Sequence, residues 1–182
     1  MDACEFPASD YRPGADIREE IGNIIPNGRD GRRGVIYATQ NTYPIAYFCV
    51  DVIIQNHKNG QIIAGMRPNE GGLYRLPGGF VDPGETLEMA AAREVLEEVG
   101  CGIGKLNYIT SMAVADWRFK KGPNKLTTAL FATEYLHGPV SGGDDLPRAS
   151  WVDIGKVKFV PEHTALINHF LSWRGERDAA NR

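Results

Sequence analysis

The sequence predicts an α/β fold in which a mixed β-sheet lies between helices, an α/β/α sandwich. Three observations lead there. Short apolar runs bounded by Gly, Pro and Asn occur both before and after one central helical pattern, so strands flank a helix along the chain. That pattern, Leu87 to Val99, is amphipathic and has a capping threonine ahead of it and a glycine behind. A second apolar stripe of helical period follows the last strand.

Residues up to about Pro44 are rich in Pro, Gly, Asn and charge, with only short apolar stretches such as Val35-Ile36-Tyr37. Residues 1–43 therefore read as an N-terminal extension with at most a short strand or hairpin of its own. From Tyr43 the texture changes. Ile45 to Gln55 is predicted as a buried strand, Gln61 to Met66 as a second after the Lys58-Asn59-Gly60 turn, and Leu73 to Leu76 as a third. Asp82-Pro83-Gly84 is a turn. Thr86 then caps a helix whose positions Leu87, Ala91 and Val95, with Met89, Ala92, Leu96 and Val99, are expected to make one buried face. Gly100 ends it as a left-handed cap. Leu106 to Ala115 and Lys125 to Tyr135 read as strands paired around the turn at 120–124, and Ala149 to Asp153 as a further strand. Pro161 suits the first turn of a last helix running through Trp173, with Leu166, Ile167, Phe170 and Leu171 as its stripe. Residues 44–174 are thus expected to form one domain and 175–182 a tail.

A length of 182 residues with 42% hydrophobic content suits a single core. A net charge of −3 lacks the basic excess that nucleic-acid backbones select, which argues against a long polynucleotide partner and leaves small phosphorylated molecules open. Cys4, Cys49 and Cys101 are odd in number and show no CxxC spacing, so neither a disulfide framework nor a zinc ribbon is expected, and a reducing cytoplasm fits. The first residues carry acids and no apolar stretch, unlike a secretory signal. The longest apolar run, Ile45 to Ile54, is broken by Asp51 and is too short to span a bilayer.

The most informative chemistry lies in the central helix, where Glu94, Glu97 and Glu98 are placed one turn apart on a face away from the apolar positions. Like charges at these spacings cost about 0.2–0.5 kcal/mol each. At ~5 Å and an effective dielectric of ~20 the repulsion rises to roughly 3 kcal/mol. A solvated acidic face would account for the three glutamates alone. A hard divalent cation would also remove the conflict, and Mg²⁺ typically completes its shell with water and substrate phosphates. The preceding Leu76-Pro77-Gly78-Gly79 permits close approach of backbone to such a site.

The wider pattern favours the cation. Gly79, five residues, Glu85, seven residues, Arg93-Glu94, Val95, Leu96, Glu97-Glu98, Val99, Gly100 and Cys101 resembles the Nudix box at every fixed position. Its last position, usually a larger aliphatic residue, is here Cys101, a small hydrophobe. The resemblance implies a Nudix-type α/β/α sandwich with a mixed central sheet. It further implies a metal-dependent hydrolase that cleaves the phosphoanhydride of a nucleoside diphosphate linked to another group, with Mg²⁺ or Mn²⁺ as the ion. Glu94 and Glu98 are implied as metal ligands, Glu97 as a further ligand or as the base, the Gly79 carbonyl as another ligand, and Arg93 as the group orienting a neighbouring glutamate. Glu85 would fix the loop by a salt bridge rather than touch metal. Asp144 and Asp145 stand in the loop where some members place an additional acid, so the base is left between them and the box; a solvated turn is the competing reading.

Arg67 is placed where relatives often meet a phosphate, although a plain surface arginine would look the same. Trp117, Arg118, Lys120, Lys121 and Lys125 form a basic cluster with an aromatic, suited to stacking a base and meeting a phosphate, or simply a solvent-facing hairpin tip. His163 and His169, six apart, fall on different helix faces and make poor joint metal ligands. The stretch from Gly142 to Val152, followed by Pro161 to Leu171, is similar to the downstream part of ADP-ribose-cleaving Nudix domains. ADP-ribose, giving AMP and ribose 5-phosphate, is therefore the expected substrate. A nucleoside triphosphate pyrophosphohydrolase is the runner-up. A non-catalytic ADP-ribose sensor is a remote third reading, which AMP release with and without Mg²⁺ would separate. Apolar residues of the extension (Ile17, Ile21, Ile24, Ile25, Val35, Ile36), with the habit of ADP-ribose-cleaving relatives, point to a homodimer packed through residues before Pro44; a tail folded back on its own subunit is the competing picture.

Overall fold

The structure is a computed structural model that describes residues 46–68, 70–115, 125–143 and 146–180. These belong to one compact unit, Ala46–Arg182. The N-terminal extension, the cluster residues Trp117, Arg118, Lys120 and Lys121, and Asp144 and Asp145 lie outside the described residues.

The strands are β1 (Ala46–Gln55), β2 (Ile62–Met66), β3 (Tyr74–Arg75), β4 (Gly78–Phe80), β5 (Gly102–Ile103), β6 (Asn107–Val114), β7 (Lys125–His137) and β8 (Ser150–Val152). Two helices accompany them, α1 (Leu87–Glu98) and α2 (Pro161–Ala180). The sheet runs β3-β2-β1-β7-β5, with β4 pairing β1, β6 pairing β7 and β8 pairing β2. β1 and β7 are parallel over Ala46↔Lys125 to Gln55↔Glu134, whereas β4, β6 and β8 pair antiparallel, so the sheet is mixed.

Both faces of the central strands are covered, which is why β1 and β7 read as near-continuous apolar runs. Alternate residues divide between two layers. Val50, Val52 and Ile54 of β1 and Ala129 and Phe131 of β7 pack with Ala90, Ala91, Val95 and Val99 of the first helix. Ile53, Leu130 and Ala132 pack with Leu166, Ile167 and Phe170 of the second. The α/β/α sandwich follows directly from that alternation.

Several boundaries differ from the sequence reading. Gly78–Phe80, to which the sequence reading gave no strand, forms one because Cys49, Val50 and Asp51 pair with it. The last helix runs on to Ala180, past the end of its apolar stripe. There Arg177 lies over the Trp173 ring at 4.7 Å, so the extra turns are supported by side-chain stacking. In α1 the buried face consists of Ala90, Ala91, Val95 and Glu98, while Met89 and Leu96 are exposed at 56% and 67% and Ala92 is exposed as well. The inward face therefore takes in Leu87, Ala90, Ala91, Glu94, Val95 and Glu98, and it carries two of the three glutamates with it.

Candidate active site

Thr86 caps α1, its hydroxyl accepting the Met89 N–H at 3.2 Å. At the other end Gly100 takes φ 76, a left-handed value natural to glycine, and its N–H reaches the Val95 carbonyl. The Gly142-Gly143 loop then folds against this end, with Ser141 N–H donating to Val99 O and Gly143 N–H to Glu98 O. A fixed helix is thereby set against β4, and the two define the site.

Gly79 is the point of closest approach. A Cβ built there would fall 2.3 Å from Glu94 Oε1 and 2.8 Å from Oε2, so any side chain would displace that carboxylate. Beside it, Gly78 N–H donates to Glu98 Oε2 at 2.8 Å. Glu98 is only 4% exposed, contrary to the outward-facing position expected from the sequence. A carboxylate so buried requires partners, and a backbone N–H is one.

Arg93 stands among the acids. Its Nε and Nη2 donate to the two Glu85 oxygens at 2.8 and 2.9 Å, Nη1 to Glu94 Oε1 at 2.8 Å and Glu97 Oε2 at 3.0 Å, and Nη2 also to Phe80 O. The fork geometry of guanidinium makes this possible. The Glu85 carboxyl is held at about 2, well below its ordinary 4.5, chiefly by the Arg93 bond and then by the Asp82 N–H. Arg93 itself is pushed up, first by Glu85 and next by Glu94. Glu85 thus ties the turn to the helix, as a loop-fixing residue would.

The three glutamates are not equivalent. Glu94 and Glu98 line a cleft of about 510 Å³ together with Gly79, Arg93 and Arg67. Glu97 does not line it, and its side chain is 58% exposed, because its position on the helix falls one step around from the inward stripe. Among the described residues, no three His, Cys, Asp or Glu side chains converge closely enough to hold a metal ion as they stand. The single shared face expected from the sequence is therefore a split one, with Arg93 bridging its members. Lys125 opens β7 in an exposed position and does not line the cleft. Arg118 lies outside the described residues.

Several charged or titratable cleft residues were given no site role in the sequence reading; besides Glu70 and Arg75, three matter here. Asp51, Glu162 and His163 all line it, and Asp51 and His163 are buried at 8% exposure each. Two signals were available: Asp51 interrupts the apolar run of β1, and His163 stands three and four residues before Leu166 and Ile167 on the apolar stripe of α2.

This fold, with a glycine strand and a carboxylate-bearing helix facing one cleft, defines a family known from many proteins. The NUDIX domain profile matches residues 48–173. The ADP-ribose pyrophosphatase of Methanocaldococcus jannaschii is 31% identical over 128 residues, covering 69% of this chain and 73% of that protein. The NAD-capped RNA hydrolase NudC of Pasteurella multocida is 34% identical over 147 residues, 77% of this chain, but the match spans only 52% of that longer protein. Among solved structures, the NUDIX domain of Shewanella oneidensis NrtR complexed with ADP ribose superposes with a TM-score of 0.61 at 16% identity, covering 78% of this chain and 96% of that one. A NUDIX hydrolase from Nitrosomonas europaea gives 0.57 at 18%, covering 71% and 90%. The chain belongs to the Nudix family. It is a pyrophosphohydrolase of that family, and no helix among its described residues is long and apolar enough to cross a membrane.

Proposed function

We propose that this protein hydrolyses ADP-ribose to AMP and ribose 5-phosphate with the help of Mg²⁺ or Mn²⁺. The observation that carries the metal-dependent reading is the pair Glu94 and Glu98, held against Gly78 and Gly79 at the edge of one cleft. Hard oxygen donors and a bare glycine backbone suit a hard cation, so the residues present fit the ion. Glu94, Glu98 and the Gly79 carbonyl would hold it, with Glu97 joining from the rim. When bound, the ion neutralises charge on the diphosphate oxygens.

The chain's own groups do the rest. Arg67, in the cleft lining, meets a phosphate. Arg93 orients Glu94 and Glu97 through its Nη1 bonds, and Glu97 takes the proton of the attacking water. Arg118 and Lys125 bind the substrate's outer part. The catalytic unit comprises residues 44–174.

Substrate choice rests on the relatives. ADP-ribose and an NAD cap share an ADP-ribosyl group, and a nucleoside triphosphate lacks it, so the sequence matches support a diphosphate joined to two ribosyl groups. A panel of ADP-ribose, NADH, NAD-capped RNA, dinucleoside polyphosphates and nucleoside triphosphates tests it. ADP-ribose is expected to show the highest kcat/KM. A tenfold advantage for a triphosphate would move the protein to the nucleotide-pool class, and one for the capped RNA would make the polynucleotide a partner after all.

The protein is further proposed to act as a homodimer through residues 1–43, in a reducing cytoplasm where Cys49 and Cys101 stay free thiols. Light scattering at micromolar concentration should give twice the chain mass. A monomeric mass removes the dimer.

A further inference from the structure

Beside the glutamates lies a second set of polar groups that the hydrolysis described above leaves unused, two of which, Asp51 and His163, line the cleft. Asp51 of β1, Thr128 of β7 and His163 of α2 are exposed by 8%, 0% and 8%, each in the α2-side layer of the core. Strand alternation calls for apolar side chains there, as at Ile53 and Leu130. Instead the three are linked. Thr128 Oγ1 donates to Asp51 Oδ2 at 2.6 Å, and Asp51 Oδ1 lies 3.6 Å from His163 Nε2. On its other side His163 Nδ1 accepts the buried Leu76 N–H at 2.8 Å. Since Nδ1 is an acceptor, the ring proton of neutral His163 sits on Nε2, toward Asp51. Burial pushes this imidazole below its ordinary value, with Asp51 opposing and Arg75 adding to the push, which agrees with a neutral ring.

Leu76 leads straight into the site. Pro77 O accepts the Val52 N–H, Gly78 N–H donates to Glu98, and Gly79 lies under the Glu94 carboxylate. The backbone that meets both glutamates is therefore held by the β1 pairing and, on the Leu76 side, by the His163 imidazole, with Arg93 reaching Phe80 O at its far end. Asp51 stands at the first two. It faces Gly78 in the β1–β4 register, and its Oδ1 lies 3.6 Å from the imidazole Nε2.

We propose that His163 is a positioning residue: by accepting the Leu76 N–H it sets the Gly78-Gly79 backbone against Glu94 and Glu98, and thereby sets the cation affinity of that pair. This rests on the metal-dependent reading given under the proposed function. Packing alone would be met by any ring of this size; what the Leu76 N–H requires is an acceptor at the Nδ1 position.

The test compares wild type with His163→Phe, which fills the ring volume without an acceptor, and His163→Asn, whose Oδ1 takes the place of Nδ1. Two readouts are used, Mn²⁺ binding to the substrate-free protein by titration and amide hydrogen exchange at Leu76 and Gly78. In the Phe variant, Mn²⁺ should bind about tenfold more weakly, the usual scale for loss of a group supporting a metal ligand. Both amides should exchange at least about tenfold faster, and the Asn variant should stay within about threefold of wild type in every measurement. A folded Phe variant with unchanged Gly78 exchange and Mn²⁺ affinity overturns the proposal, as does an equal loss in the Phe and Asn variants. Should the Phe variant not fold, Thr128→Val replaces it, since it removes the hydroxyl that holds Asp51 while keeping the volume. Faster Gly78 exchange is again expected, and unchanged exchange overturns the proposal. Glu98→Gln serves as the reference for the underlying reading. If it leaves Mn²⁺ affinity intact, the metal reading fails, and Gly78 exchange alone decides the positioning role.

Discussion

Replacing Glu98 with glutamine is expected to slow hydrolysis about 10³-fold, the equivalent of ~4 kcal/mol of lost transition-state stabilisation. The fold should remain intact. Gln keeps the side-chain volume and an oxygen able to accept the Gly78 N–H, so the 4%-exposed position stays filled and paired. What disappears is the negative charge proposed to hold the cation. The effect should therefore show in metal dependence: the metal concentration giving half-maximal rate should rise, while the melting temperature of metal-free protein stays within about 3 °C of wild type. Glu97→Gln should lower turnover similarly, because it removes the proposed base, but with less change in metal dependence, since that side chain is 58% exposed and stands outside the cleft lining. Near-full activity of the Glu98 variant at ordinary Mg²⁺ concentration would remove Glu98 from the site.

What could be read from the sequence follows how local each feature is. The capped helix was legible because Thr86, the apolar period and Gly100 are all signals within one segment. The mixed sheet was legible because strands buried on both faces leave long apolar runs, as in β1 and β7. The direction of the glutamates was not. Met89, Ala92 and Leu96 are apolar yet point outward, and they drew the expected buried face around the helix, whereas the true inward stripe includes Glu94 and Glu98. Composition sets an average face; only the tertiary partner, here the Gly78–Phe80 strand, decides which residues it covers. That strand was itself hidden, since two of its three residues are glycines, which disfavour strands, and it forms by pairing with Cys49, Val50 and Asp51 of β1. Long-range polar links were the hardest to read. Leu76 and His163 are 87 positions apart, and a histidine on an apolar stripe does not name the N–H it will meet.

Substituting Arg93 should produce the largest loss of stability among the site residues. Its guanidinium makes five hydrogen bonds, to Glu85 twice, to Glu94, to Glu97 and to the Phe80 carbonyl, and no other side chain has the donors for all of them. With Arg93→Gln the acids face one another without their shared cation. We expect a loss of about 2 kcal/mol, since a bidentate, partly buried network exceeds an isolated surface pair, and a melting temperature lower by about 4–8 °C. Arg93→Lys should recover only part of this, because a single ammonium cannot reproduce the fork against Glu85 while also reaching Glu94. The acid limb gives an independent check. In wild type the folded Glu85 carboxyl sits at about 2 against 4.5 in the unfolded chain, so the folded state holds fewer protons between those values. Its contribution is complete above pH 4.5 and is lost as the pH falls toward 2. The Gln variant lacks the largest cause of that depression, so its stability should decline less steeply across the same window. Urea midpoints measured from pH 5 down to pH 2 would show it. If wild type and variant trace parallel curves and melt within about 1 °C of each other, Arg93 does not organise the acidic cluster, and the ordering of Glu94 against Gly79 must come from the strand alone.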